Sequence, residues 1–359
     1  MSLSGKRYVS FFSAVLLLLI QTISNAQQKI NVETFTTRGD VSIRALGAVN
    51  KNVCWFAANK GVWGFTKDGG TTWKTDSIKT DSTYIEFRAI ATLHDSVCLL
   101  LSIDSPAYIF KTTNYGAGWK QVYNSSLHKI FFDAMYFEND SIGYAIADPI
   151  DGHIQLIKTT NAGDNWINFE EGSIPNAFEG EAFFAASNSI LKTKGKNIGF
   201  VSGGSKSRLF MSLDGGNSFS SLPVPIESGN ELAGTFSFDM YNKTLMAFSG
   251  GDYKKSDSTV SAFVISKDAG KTFEKIKTPV PFFGSCVKFI SANKLIVSGH
   301  YGTFIYNIKK NEWVRLQNKN GDELKFNTIS ITPSYRNDKA IVVWFAGNKG
   351  MIAKILVEK

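Results

Sequence analysis

The chain has 359 residues, 43% hydrophobic and 19% charged, so a large core can form and disorder is excluded as the main state. Aromatics at 13%, with 31 Gly and only 8 Pro, favour many short strands joined by tight turns. The formal charge of +8 is spread mostly over scattered lysines and forms no nucleic-acid stripe. Four His and three Cys argue against a multi-histidine metal site or a disulfide framework.

Residues 1–26 read as an export signal. Lys6-Arg7 form a basic start, Val9 to Ile20 an apolar run, and Ser24-Asn25-Ala26 a small-residue cleavage site. Cutting after Ala26 makes Gln27 the new N-terminus. The apolar run is short for a membrane anchor, and no later segment spans a membrane, so no stable membrane insertion is expected. The protein is expected to be exported, to the periplasm or beyond, and to be a monomer. Residues 27–359 form the domain.

Strand-like Lys29-Ile-Asn-Val-Glu-Thr-Phe35 comes next. After it, seven short strands recur, beginning at Ser42-Ile-Arg44, Glu86-Phe-Arg88, Phe131-Phe-Asp133, Glu179-Gly-Glu181, Leu232-Ala-Gly234, Phe283-Gly-Ser285 and Lys325-Phe-Asn327. Each leads to a second apolar strand, a third, and a fourth. Between third and fourth strands one turn pattern, [S/T]-x-[D/N]-x-G-x-x-[W/F], occurs five times. Its central residues are Asp68, Asn114, Asn161, Asp214 and Asp268, separated by 46, 47, 53 and 54 residues. In such a turn the carboxylate or amide accepts backbone N–H bonds, the Gly supplies a positive φ, and the aromatic packs between sheets. These five residues are therefore assigned to structure. Blade six keeps only the remnant Asn311-Glu-Trp313, and blade seven lacks a fourth strand, which the 29–35 segment can supply. The expected architecture is all-β: a seven-bladed β-propeller closed by its N-terminal strand. Cys54, Cys98 and Cys286 sit in apolar runs and read as buried, inert thiols.

The five turns resemble the Asp-box, or BNR, repeat of sialidases and related propellers. Together with Phe132-Asp133-Ala134-Met135, Ala147-Asp148-Pro149-Ile-Asp151-Gly152, Gly180-Glu181-Ala182-Phe183 and Ser249-Gly250-Gly251-Asp252-Tyr253, they make the chain similar to the photosystem II stability and assembly factor family. The likeness is greatest to its branch in non-photosynthetic bacteria. The family's photosynthetic members bind protein partners without chemistry. The resemblance therefore implies an assembly scaffold. Members of the bacterial branch often carry an oxidoreductase label, but no redox-cofactor motif supports it here, and no cofactor is expected.

In a propeller the first strands line the channel, so Arg44, Arg88, Asp133, Glu181, Gly234, Ser285 and Asn327 should ring one mouth. Loops between second and third strands add Asp104, Asp148, Asp151, His153, Asp252, Tyr253, His300 and Tyr301 on the same face, opposite the repeated turns. Arg44, Arg88, Asp133 and Glu181, with Asp148, Asp252 and His300 around them, are the candidate binding residues for a protein or glycan partner, nucleic acid being excluded. Arg88 and Asp133 have an alternative reading as a structural pair across the channel. The competing function is a sialidase-like glycoside hydrolase. It needs three arginines around a substrate carboxylate. Arg44 and Arg88 fit, and Arg208 is the candidate third. The sialidase Arg motif ahead of the first turn is missing its Pro. A divalent-ion site from Asp148, Asp151 and Asp252 would require convergence from different blades.

Overall fold

The computed structural model describes residues 32–81, 83–170, 172–255, 262–333 and 340–358. The export signal and positions 29–31 of the closing strand lie outside them. Seven antiparallel sheets stand around a central channel. Blade one is built from Ile43–Ala48, Cys54–Ala58, Val62–Thr66 and Lys74–Ser77, running from channel to rim. Blade seven is Thr328–Ile331, Ala340–Ala346 and Met351–Glu358, with Glu33–Thr36 as its outermost strand. Glu33 pairs with Lys354 and Thr36 with Met351, so chain start and chain end share one sheet. This closure covers two sheet edges.

The middle strands are apolar along their length because both faces are covered by neighbouring blades. Cys54–Ala58 and Val62–Thr66 are buried at every residue. The rim strands are polar and short, only Ile167–Asn168 and Glu274–Lys275 in blades three and five, which limits edge-to-edge pairing. Between blades one and two, Trp55, Trp63, Phe65 and Trp119 pack together, with Trp63 and Trp119 centroids 5.0 Å apart. All three cysteines are buried and free.

The five repeated turns share one hydrogen-bond pattern. In the first, Thr66 Oγ1 donates to Asp68 Oδ1 (2.8 Å) and accepts from Gly70 N–H (2.9 Å), and Asp68 Oδ1 accepts from Thr72 N–H (2.9 Å). The Asn114 turn repeats it, with Gly118 N–H donating to Asn114 Oδ1 at 3.0 Å. Gly70 has φ +97°, and a Cβ there would stand 2.8 Å from the Phe35 ring of the closing strand. Backbone conformation and blade packing therefore both require glycine.

Blade four departs from the expectation. Its innermost strand is Leu191–Lys194, not the Glu179 segment. Glu181–Ala182 instead forms a two-residue strand against Gly203–Gly204, which in turn pairs with Gly234 of blade five. The segment after it, Phe183 to Asn188, crosses the channel. Asn188 donates from Nδ2 to Ile90 O of blade two (2.9 Å) and accepts from Met135 N–H of blade three (2.8 Å). Thr328 of blade seven donates to Ser187 O (3.0 Å). Ser187, Ser189 and Ser237 then form a buried hydroxyl chain ending at Val287 N–H. The segment is a plug with two sides.

Candidate functional site

The ring at the upper mouth is built by a repeated backbone irregularity. In the inner strands of blades one, two and three the register shifts at Arg44, Arg88 and Asp133, and in blades five and six at Phe236 and Ser285. A β-bulge leaves its extra residue unpaired and re-aims its side chain. The ladder holds the backbone on either side, so chemistry at the bulge is free to vary from blade to blade. Blade five thus presents Phe236 at this level rather than Gly234. The two-residue offset arises because the strand runs from Ala233, lengthened by its pairing with the inserted strand.

Above the plug lies a cavity of about 510 Å³, whose walls include Arg44, Arg88, Asp148, Phe184, Phe283 and His300. One side is aromatic. Phe184 of the plug stacks on Phe236 with centroids 3.7 Å apart, Phe236 meets Phe283 edge-on at 4.7 Å, and His300 stands 4.7 Å from Tyr253. The facing side is cationic. Arg88 Nε donates to Glu86 Oε1 at 2.7 Å, and Nη1 reaches Ala185 O of the plug at 3.4 Å. Arg44 donates no side-chain hydrogen bond to any described residue, and burial followed by repulsion from Arg88 lowers its pKa. Burial, then Lys325 and Arg44, lower that of His300, which favours its neutral form. Burial raises the Asp148 carboxyl to about 6, although its Oδ1 accepts the Phe183 N–H at 2.7 Å.

The other candidates sit elsewhere. Asp133 is fully buried beneath the cavity, and neither of its oxygens has a hydrogen-bond partner among the described residues. Burial first, and then Asp148, hold its carboxyl well above the ordinary range. The alternative Arg88–Asp133 pair does not form, since Arg88 takes Glu86 instead. Glu181 is absent from the cavity wall. Its side chain, 1% exposed, is held by Arg208 at 2.5 and 2.8 Å and by Ser202 Oγ at 2.5 Å. Arg208 is in turn fixed by Asn176 O and Ser221 and flanked by Phe178 and Phe210, so it is not a third arginine of the mouth. Asp252 caps its own loop through Lys254 N–H (2.9 Å) and Asn230 (3.1 Å), while its neighbour Tyr253 faces the cavity. Among the described residues no three His, Cys, Asp or Glu side chains are grouped to hold a metal ion. No described helix is long and apolar enough to cross a membrane.

Sequence reasoning placed Tyr253 and His300 at this mouth but missed the plug and Phe184, Phe236 and Phe283 of the aromatic wall. The wider third spacing, 53 residues against 46 and 47, was the available signal for an insertion in blade four.

No protein-family model and no curated protein matches the chain. Solved structures do. YCF48 bound to D1 peptide has a TM-score of 0.64 at 12% identity, covering 92% of this chain and 100% of that one. YCF48 from Cyanidioschyzon merolae has 0.60 at 11%, covering 90% and 98%. The GH74 enzyme of Niastella koreensis has 0.56 at 12%, covering 84% of this chain and 50% of that one. At such identities these similarities show the fold: a seven-bladed propeller of the kind seen in YCF48. A fold shared by a peptide-binding protein and a glycosidase leaves function to the site.

Proposed function

We propose that the chain is a non-catalytic propeller that holds an acidic protein segment at its upper mouth. The observation that carries this reading is Arg44, a half-buried guanidinium with no partner among the described residues, facing a cavity walled on the other side by aromatic rings. A desolvated cation without a counter-ion is costly, and a carboxylate from a partner offsets that cost with paired N–H bonds. The aromatic wall takes an adjacent apolar side chain, the combination favoured at recognition surfaces. The peptide bound by YCF48 supports a protein partner for a propeller of this shape. The locking of Arg208 on Glu181 removes one of the three arginines the sialidase-like reading requires. In the proposed reading the chain is exported after a cut at Ala26. The five turns are Asp boxes with a structural role, as in the non-photosynthetic branch of the assembly-factor family. The protein works as a monomer.

The test is titration with peptides carrying Glu beside Phe, against the same peptides with Gln. Wild-type protein should prefer the acidic set, and Arg44→Ala/Arg88→Ala should lose the preference by at least tenfold at unchanged melting temperature. Equal binding of both sets, or turnover of a sialoside that the double variant abolishes, would overturn the reading.

A further inference from the structure

The plug leaves a second, separate cavity at the lower mouth, of about 320 Å³, at the small end of the usual range for small-molecule sites. Its wall repeats one position. Three residues beyond each bulge or its equivalent stand Gly47 and Ala91 in blades one and two, then Tyr136, Lys192, Asp239 and Lys288 in blades three to six. Three of these six are charged, Tyr136 is aromatic, and only Gly47 and Ala91 are small, with Ser330 at the matching position of blade seven. The Thr92 side chain stands over Gly47, so the small side of the wall is made of Thr92, Ala91 and Ser330.

The charges do not balance. Asp239 is committed on both oxygens, Oδ1 to Lys192 Nζ at 3.3 Å and Oδ2 to the Phe289 N–H at 2.7 Å. Lys192 also lies over the Tyr136 ring at 4.5 Å. Lys288 stands beside Lys192, and among the described residues no carboxylate lies within ion-pair distance of it. Burial and then the neighbouring Lys192 push its amino group down to about 8, against a smaller opposing attraction from Asp239. Two amino groups side by side, only one of them within ion-pair distance of a carboxylate, leave a place for one more anion. Hydroxyls flank the space. Thr92 and Ser330 line it, and Ser330 Oγ already accepts the Ala48 N–H at 3.0 Å.

We propose that this lower mouth binds a small oxyanion-bearing molecule, its acid group between Lys288 and Lys192 and its remainder against Ala91, Thr92 and Ser330. The site is independent of the upper mouth, since the plug separates the two, and it stands whether or not the upper mouth binds a peptide.

Calorimetric titration of the whole mature chain with malonate and with inorganic phosphate, at ionic strength held constant with chloride, tests this. Wild-type protein should bind at least one probe saturably. Lys288→Met, which keeps the stem and removes the ammonium, should weaken that binding at least tenfold. Ala91→Leu, which puts a larger side chain into the cavity wall and leaves the charges intact, should do the same. It carries the test should the lysine variant misfold by circular dichroism. Arg44→Ala/Arg88→Ala should leave it unchanged. Absence of saturable binding by wild type, binding indifferent to both lower-mouth variants, or loss only in the arginine double variant would each overturn the proposal.

Discussion

The channel mouth above and the outer turns of the lower face use the same repeat in opposite ways. At the upper mouth the variable residue is the bulge itself, and it supplies arginines, a buried acid and an aromatic. On the lower face, outside the channel and between the third and fourth strands, five turns instead carry nearly identical bonds. Carboxylates follow the difference. Asp148 above is raised to about 6 by burial, whereas Asp68, Asp214 and Asp268 below are held at about 2 by hydrogen bonds from the hydroxyl and N–H of the turn. A turn whose side chain is its own scaffold has no freedom to vary. A bulge held by backbone bonds does, and there chemistry accumulates.

The largest expected effect comes from Glu181, which ties the inserted strand to blade four. Glu181→Ala leaves the Arg208 guanidinium buried beside Ser202 without its carboxylate. Breaking such a pair typically costs ~3–5 kcal/mol. Chemical denaturation should show a loss of this order, while the folded fraction binds acidic peptide as wild type does. Arg44→Ala should behave in reverse, with stability kept and binding lost. A Glu181→Ala protein of wild-type stability and impaired binding would return Glu181 to the recognition surface and erase the contrast.

This contrast also marks what the sequence could reveal. Turn residues were legible because local geometry dictates type: only Thr or Ser, Asp or Asn, and Gly satisfy the bonds seen at Thr66, Asp68 and Gly70. Strand closure was legible because blade seven was one strand short, and Glu33–Thr36 fills the gap. Arg44 and Arg88 were legible because their strands keep the repeat. Glu181 was misplaced because an Ala-Phe-Phe run imitates an inner strand, and only pairing with Gly203–Gly204 reveals it as an insertion. Lys192, Asp239 and Lys288 lie 47 and 49 residues apart along the chain, and no local pattern marks their convergence at one level of the ring.

A smaller effect distinguishes the faces by pH. The Asp148 carboxyl is raised from 3.8 to about 6, so between those values the folded chain binds more protons than the unfolded one. Stability therefore falls as pH rises from about 4 to about 6 and is level above, by ~1–3 kcal/mol for this group. Asp148→Asn keeps an acceptor for the Phe183 N–H and removes the charge. Melting temperatures of variant and wild type should coincide near pH 4 and separate by pH 7, the variant being the more stable. A variant less stable than wild type at pH 7 would show that the carboxylate is held by a partner rather than stranded.

The smallest effect is expected at the lower rim. Asp68 accepts from the Thr72 hydroxyl on Oδ2 (2.6 Å) and from the Thr72 N–H on Oδ1 (2.9 Å), and these bonds, led by the hydroxyl, depress its carboxyl. A depressed carboxylate contributes stability above its unfolded pKa that is lost as pH falls toward its folded value, here from about 4 to about 2. The chain already carries the neutral version of this turn twice. At Asn114 and Asn161 the amide oxygen accepts the same N–H at 3.0 Å, and positions 118 and 165 are Gly and Asn, with no hydroxyl to bind a second oxygen. Asp68→Asn should therefore fold and hardly change the melting temperature at pH 7. Its acid-induced loss between pH 4 and 2 should be shallower than that of wild type, and shallower again when Asp214→Asn is added. A large loss at pH 7 would mean that the charge itself, rather than the acceptor geometry shared by all five turns, holds the lower rim together.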